Sequence, residues 1–163
     1  MQKIGVISDT HGYVDDKILS FLVECDQIWH AGDVGSFSLM EQLQQFKPMK
    51  CVYGNIDDLK VRRAAKEILV FNCEDKKVMM THIGGYPGRY EKNVKVAFGI
   101  HKPDIFVCGH SHILKIQHDK NFNLLHINPG AAGKSGFHKF RTAVRFEIDC
   151  GDIENVEVLE ITR

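Results

Sequence analysis

The sequence lacks a long apolar run, an excess of either charge and any C-x-x-C pair. Lys and Arg total 21 and Asp and Glu also total 21, so no overall electric field favours binding to nucleic acid or to a membrane surface. No segment reaches the length of a membrane-spanning helix, and the first residues show no signal-peptide pattern. The five cysteines are odd in number, which favours reduced thiols in a cytoplasmic protein.

The sequence otherwise has the composition of a globular protein, with 163 residues of which 44% are hydrophobic and 26% charged. This length predicts one compact domain spanning residues 1–163. Strand-like and helix-like segments alternate at 3–9, 15–24, 27–33, 38–46 and 49–55. Later segments form hairpin patterns at 68–82, 113–128 and 142–162, with a helix at 93–102 and a strand at 104–110. The predicted fold class is α/β, a two-sheet mixed β-sandwich flanked by helices.

Side chains that bind metals follow five of the predicted strands. They are Asp9, His11, Asp33, Asn55, His82, His110 and His112. Ligands of open α/β sheets bind at the carboxyl ends of strands, where these side chains are expected to lie. Seven donors without a thiolate are too many for one tetrahedral ion and suit two ions that share a carboxylate. The mixture of imidazole, carboxylate and amide favours Mn²⁺, Fe, Ni²⁺ or Zn²⁺ over Mg²⁺ or Ca²⁺.

The order D-x-H, G-D, G-N, H, G-H-x-H resembles the calcineurin-like metallophosphoesterase superfamily. The short length and the NPGA segment at 128–131 resemble its small bacterial and archaeal phosphodiesterase branch. The resemblance implies a four-layer α-β-β-α fold. It also implies a dinuclear metal-dependent phosphoesterase, foremost a phosphodiesterase that uses a metal-bridging hydroxide and acts on a small-molecule phosphate ester.

The resemblance also implies a role for each donor. The first ion would be held by Asp9, His11, Asp33 and His112, and the second by Asp33, Asn55, His82 and His110, with Asp33 bridging. The four ligands of the second ion are the expected catalytic residues, and Asn55 would also contact the substrate phosphate. Mn²⁺ is the first expectation for both ions, with Ni²⁺, Fe or Zn²⁺ as alternatives.

One position departs from the family pattern. Many relatives have a histidine directly after the G-N pair, which protonates the leaving group, whereas this chain has Ile56. Loss of a general acid costs about 10²–10⁴-fold in rate. We therefore expect substrates with good leaving groups, or another acid. His138, in a glycine-rich loop, is either that acid or a solvated loop residue.

Several alternatives stay open at this level. Asp57 supports a ligand or begins a helix, Asp58 is a helix N-cap candidate, and His30 is expected to be a hydrogen-bonded structural histidine. Four basic residues either line the mouth of a substrate site or are simply exposed to solvent: Arg89, Lys134, Lys139 and Arg141. The alternative functions are a phosphomonoesterase with the same site and a non-catalytic interaction scaffold of the retromer-subunit type. A homodimer or higher homo-oligomer is also left open.

Overall fold

The computed structural model describes residues 1–163. The elements of the first half are β1 (Gln2–Ile7), α1 (Asp16–Leu22), β2 (Gln27–His30), α2 (Phe37–Phe46), β3 (Met49–Cys51), α3 (Leu59–Ala64), β4 (Ile68–Cys73) and β5 (Lys76–Thr81). Those of the second half are β6 (Gly85–Tyr86), β7 (Arg89–Tyr90), α4 (Lys92–His101), β8 (Ile105–Val107), β9 (Leu114–Asp119), β10 (Leu124–Pro129), β11 (Phe140–Asp149) and β12 (Asp152–Thr162). None of the helices has the length and apolar character needed to cross a membrane.

The strands form two five-stranded mixed sheets and one small hairpin of β6 and β7. The first sheet has the order β12-β11-β1-β2-β3 and the second the order β4-β5-β8-β10-β9. The pairs β1–β2, β2–β3, β5–β8 and β8–β10 are parallel, and the other pairs within the two sheets are antiparallel. The predicted two-sheet mixed sandwich is therefore confirmed. The second sheet contains more parallel pairing than its hairpin patterns indicate, because α4 carries the chain from β5 across to β8.

Three apolar clusters divide the molecule into four layers. One cluster lies between the two sheets and contains Trp29 and Phe146, both almost fully buried. A second lies between the first sheet and helices α1 to α3 and includes the fully buried Leu43 of α2. The third packs Phe98 of α4 against Phe106 of β8. The order of layers is helix, sheet, sheet, helix, as the resemblance implies.

Short polar residues begin three of the helices. Asp15 accepts a hydrogen bond from the backbone N–H of Ile18 in α1, and Ser36 caps α2 in the same way. Asp58 caps α3 by accepting from the N–H groups of Lys60 and Val61, as predicted for an N-cap. No apolar period predicts α3, because this helix has only six residues, of which Val61 alone is buried.

The central strand β8 gives a direct test of the core between the sheets. Ile105 is fully buried there, whereas Ile100 on α4 is 70% exposed. We expect Ile105→Ala to lower the free energy of unfolding by about 2–5 kcal/mol, because it leaves a cavity between the sheets. The matched variant Ile100→Ala should change it by less than about 0.5 kcal/mol. Urea denaturation measures both; equal losses would contradict this packing.

Candidate metal centre

Two sheets bring their strand ends together at one edge of the sandwich. Within the first sheet, the backbone N–H of Asp9 donates to Gly32 O at 3.0 Å, and that of His11 donates to Asp33 O at 3.0 Å. Within the second sheet, Gly109 N–H donates to His82 O at 2.9 Å. Segments that are far apart in the sequence are thus joined directly after their strands end.

Two further hydrogen bonds join one sheet to the other. The backbone N–H of His110 donates to Asp9 Oδ2 at 3.0 Å. The ring Nδ1–H of His82 donates to Ala31 O at 2.7 Å, since a carbonyl can only accept. In the neutral ring this places the lone pair of His82 on Nε2, the atom that faces the carboxylates.

Six of the seven predicted donors form two groups whose ligand atoms lie within 4.8 Å of one another inside each group. Group one is Asp9, His11 and His112, and group two is Asp33, His82 and His110. His112 Nε2 lies 3.2 Å from Asp9 Oδ1 in group one. His82 Nε2 lies 3.2 Å from Asp33 Oδ2 in group two. The division of residues between the groups is the one that the family resemblance implies.

Asp33 belongs to group two and also faces group one. Its Oδ1 accepts a hydrogen bond from the backbone N–H of Ile56 at 3.1 Å, which fixes the carboxylate. Its Oδ2 is 3.2 Å from His82 Nε2 and 3.7 Å from His11 Nε2. One oxygen is therefore within reach of a histidine from each group, which is the position a bridging carboxylate requires.

The backbone around the donors is held in an unusual conformation. Five donors have a positive φ, between 48° and 68°: Asp9, His11, Asp33, His110 and His112. Residues other than glycine adopt this left-handed backbone conformation only at a cost in conformational energy, and residues in such conformations cluster at functional sites. The adjacent glycines have a related role, since a Cβ at Gly54 would overlap Asp33 and one at Gly109 would overlap Ser8 and Asp9.

Asn55 lies in the turn after β3, next to group two. Its side chain is exposed and makes no hydrogen bond within the chain, and it lines a cavity together with His82. Its neighbour Ile56 has a side chain that is 46% exposed and offers no proton. The seventh predicted donor thus faces solvent beside the cluster, where an ion or a phosphate oxygen would meet it.

The charges of the cluster favour bound cations. Burial alone would raise the pKa of the Asp9 carboxyl, but His112, His82 and Ser8 outweigh it, so that this pKa is lowered. The pKa of Asp33 is lowered in the same way, against its burial, by His82 and by the Ile56 N–H. Burial would lower the pKa of His82, yet Asp33 and Asp9 raise it. The cluster therefore holds ionised carboxylates that stabilise positive charge.

Unpaired buried atoms give a test of whether the residues fit a metal. Asp9 Oδ1, His11 Nε2 and His82 Nε2 are all buried and have no hydrogen-bond partner. A buried polar atom without a partner costs about 1–3 kcal/mol, so three in one cluster indicate an additional binding partner. Imidazole nitrogens and carboxylate oxygens without thiolates suit divalent transition metals. The residues fit such ions.

Comparison with known proteins agrees with this geometry. Residues 2–151 match the calcineurin-like phosphoesterase superfamily domain. The chain belongs to this superfamily. A "Probable metallophosphoesterase" of Methanothermobacter thermautotrophicus is 29% identical over 133 residues, which are 78% of this chain and 76% of that protein. Family membership supports a metal-dependent phosphoesterase.

Solved structures share the fold of this phosphoesterase over almost its whole length. A structure described as a novel archaeal phosphodiesterase has a TM-score of 0.75 and 18% identity, with 98% of this chain and 99% of that chain covered. Vps29 from Entamoeba histolytica also has a TM-score of 0.75, with 16% identity and the same coverage. At these identities the likeness concerns the fold alone.

Asp57 of the phosphoesterase does not begin α3 but supports the donor loops. It is 4% exposed and accepts hydrogen bonds from the backbone N–H groups of Val34, Gly35 and Gly54, at 3.2, 2.8 and 2.8 Å. A single carboxylate thus ties the loop after Asp33 to the turn that carries Asn55. Of the two roles left open for Asp57, support of a neighbouring ligand agrees with the structure.

His30 is a structural histidine of the phosphoesterase, as expected. It is fully buried, its Nδ1 accepts from Gly32 N–H at 3.1 Å, and its Nε2 donates to Thr10 Oγ1 at 2.9 Å. Thr10 in turn donates to Val34 O at 3.0 Å. This chain of bonds connects the loops that carry His11 and Asp33.

The loop after β10 and the start of β11 hold polar side chains in contacts that the sequence did not predict. His138 is partly buried and lines the cavity beside His112, but both of its ring nitrogens have partners within the chain. Its Nδ1 lies 3.1 Å from His112 Nδ1 and its Nε2 bonds to Gly133 O at 2.9 Å. Arg141 is buried and donates to Asp15 Oδ2 at 2.7 Å, so it is not a basic residue of a substrate mouth. Lys134 lies over the ring of Tyr13, while Arg89 and Lys139 are exposed. The pattern of the loop contained no signal for these pairings.

The burial of His30 predicts a pH dependence of stability. Burial lowers its pKa from 6.5 to about 4. Between these values the unfolded chain binds a proton that the folded protein does not, so stability falls as the pH falls from 6.5 to about 4. We expect His30→Gln, although less stable, to reduce the slope of stability against pH by up to about 1.4 kcal/mol per pH unit.

The measurement is urea denaturation from pH 4 to 7 with a chelator, so that metal release adds no slope. Thr10→Val is the matched control, because it removes the partner of His30 but keeps the titrating ring. It should lower stability with little change in slope. If His30→Gln also keeps the wild-type slope, the ring does not titrate as its burial implies.

Proposed function

We propose that this phosphoesterase hydrolyses phosphodiesters with the help of two divalent cations, Mn²⁺ being the first expectation. The observation that carries the proposal is the position of Asp33 Oδ2 within 4 Å of a histidine from each donor group. Group one with Asp33 would hold one cation. Group two with Asn55 would hold the other, sharing Asp33.

Such a pair of cations, when bound, activates water as a nucleophile and neutralises the developing charge of the phosphoryl group. The chain supplies the orientation. Asp9 Oδ2 is occupied by Ser8 and by the His110 N–H, so only its Oδ1 is free to bind a cation. His82 is turned by its bond to Ala31 O, which directs Nε2 to the centre. Asn55, exposed beside group two, would donate its amide N–H to a phosphate oxygen.

Two cavities beside the cluster support a diester over a monoester. A cavity of about 450 Å³ next to His82 is polar and includes Arg62 and Glu67. Another, of about 490 Å³ next to His112, includes the exposed side chains of Ile113 and Phe137. The cavities share no lining residue. A phosphodiester has two ester groups, one for each cavity, whereas a monoester would leave one of them empty.

The proposal extends to the domain organisation and the cellular location of the protein. We propose that residues 1–163 act as a single domain, since β11 and β12 extend the sheet that begins with β1. The five cysteines are all free, and four of them are buried. This agrees with the proposed cytoplasmic location, where thiols stay reduced.

The activity test compares a diester with a monoester. With saturating Mn²⁺, we expect kcat/KM for bis-(p-nitrophenyl) phosphate to exceed that for p-nitrophenyl phosphate, because both cavities are used. We expect Asp33→Asn to lower kcat by more than about 100-fold, since it weakens the carboxylate shared by both groups.

The control is Asp16→Asn, which makes the same change at an exposed position in the first turn of α1. It should retain wild-type activity. The proposal fails if metal-saturated protein hydrolyses neither compound, or if Asp33→Asn is as active as the control. A clear preference for the monoester would replace the diesterase with a monoesterase.

Metal content separates an enzyme site from an interaction scaffold with the same fold. We expect two Mn²⁺ per chain at saturation, by equilibrium dialysis and elemental analysis, because the donors form two groups. His82→Ala should bind about one, since group two loses its most buried histidine. His101→Ala, at the C-terminal end of α4 and outside both groups, should still bind two. Fewer than one ion per wild-type chain would favour the scaffold.

A further inference from the structure

His138 uses both of its ring nitrogens inside the protein. Its Nε2 lies 2.9 Å from Gly133 O and its Nδ1 lies 3.1 Å from Nδ1 of His112, with the two ring centroids 5.0 Å apart. The glycine between these partners fits them closely, because a Cβ at Gly136 would overlap the His112 ring. The loop is therefore shaped around the pair of rings.

The directions of these hydrogen bonds follow from elementary proton accounting. A carbonyl oxygen only accepts, so His138 Nε2 must carry a proton and donate it to Gly133 O. In the neutral ring, Nδ1 of His138 then has a lone pair, and His112 Nδ1 must be the donor between them. The proton of His112 is thereby placed on Nδ1, which leaves a lone pair on Nε2.

That lone pair points into group one. His112 Nε2 lies 3.2 Å from Asp9 Oδ1, an atom with no hydrogen-bond partner. An imidazole binds a cation only through an unprotonated nitrogen, and the partner of its other nitrogen decides which one that is. The bond to His138 thus selects the form of His112 that can bind a cation.

We propose that His138 is a positioning residue for His112: it fixes the tautomer and the ring orientation that group one needs to bind its cation. This inference rests on the proposed function only in taking group one to be a cation site. It also excludes His138 as the missing general acid, because neither ring nitrogen is free to donate a proton to a leaving group.

The first test measures cation affinity in full-length variants. We expect His138→Ala to weaken the binding of one of two Mn²⁺ ions by about 10–100-fold in calorimetric titrations and to leave the other unchanged. His138→Gln should restore most of that affinity, because its amide can accept from His112 and donate to Gly133. His118→Ala, which removes an exposed histidine of β9, is the control and should bind like wild type.

Three results would overturn the proposal: wild-type affinity in His138→Ala, an equal loss for both ions, or a Gln variant as weak as the Ala variant. Kinetics supply an independent check. Raising Mn²⁺ should restore the activity of His138→Ala, since mass action refills a weakened site. A loss of kcat that persists at saturating Mn²⁺ and grows with poorer leaving groups would instead make His138 the acid.

The second test needs no variant and does not depend on how well the variants fold. In ¹⁵N-labelled wild-type protein with Zn²⁺, imidazole spectra should show the proton of His112 on Nδ1 and that of His138 on Nε2. The reverse placement overturns the proposal. Bound metal with this placement but without hydrolysis of any ester would reject the proposed function and keep the positioning role. A wild-type protein that binds no metal would reject both.

Discussion

The structure depends on one electrostatic constraint, the burial of two carboxylates at the point where the sheets meet. Asp9 is fully buried and Asp33 is 3% exposed, and a buried carboxylate is costly unless positive charge or hydrogen-bond donors compensate it. Backbone N–H groups satisfy one oxygen of each. The other oxygen of each carboxylate faces imidazole nitrogens. Three buried atoms of the cluster have no hydrogen-bond partner: Asp9 Oδ1, His11 Nε2 and His82 Nε2. A pair of divalent cations would satisfy all of them at once.

Much of the surrounding chain serves to hold this arrangement and does not contact the expected cations. Asp57 ties the loop after β2 to the turn after β3, and His30 joins the loops after β1 and β2 through Thr10. His138 contacts Nδ1 of His112, the ring nitrogen that does not face Asp9. The donors tolerate a left-handed backbone because these contacts fix it from several directions. Catalysis by positioned groups requires this kind of rigid support.

The sequence predicted the donor set because short motifs at strand ends combine two signals, apolar periodicity and residue chemistry. It could not show the contacts that support the donors, because these contacts join residues far apart: nothing near Asp57 in the chain points to Val34, and nothing near His138 points to His112.

Predicted strands such as 27–33 extended past the observed end at His30, since the donors bend out of the sheet with positive φ. The pattern of hairpins likewise hid the parallel pairing of β5, β8 and β10. The sequence could not distinguish Arg141 from a solvated loop cation, because its partner, Asp15, lies 126 residues away in the chain.

The central claim is that group one and group two each bind one cation and share Asp33. Anomalous X-ray diffraction from crystals grown with Mn²⁺ tests it most directly, because each bound ion gives its own peak. The account predicts two peaks about 3.5–4 Å apart, with Asp33 Oδ2 between them. A single peak, or two peaks that do not both contact Asp33, would contradict it.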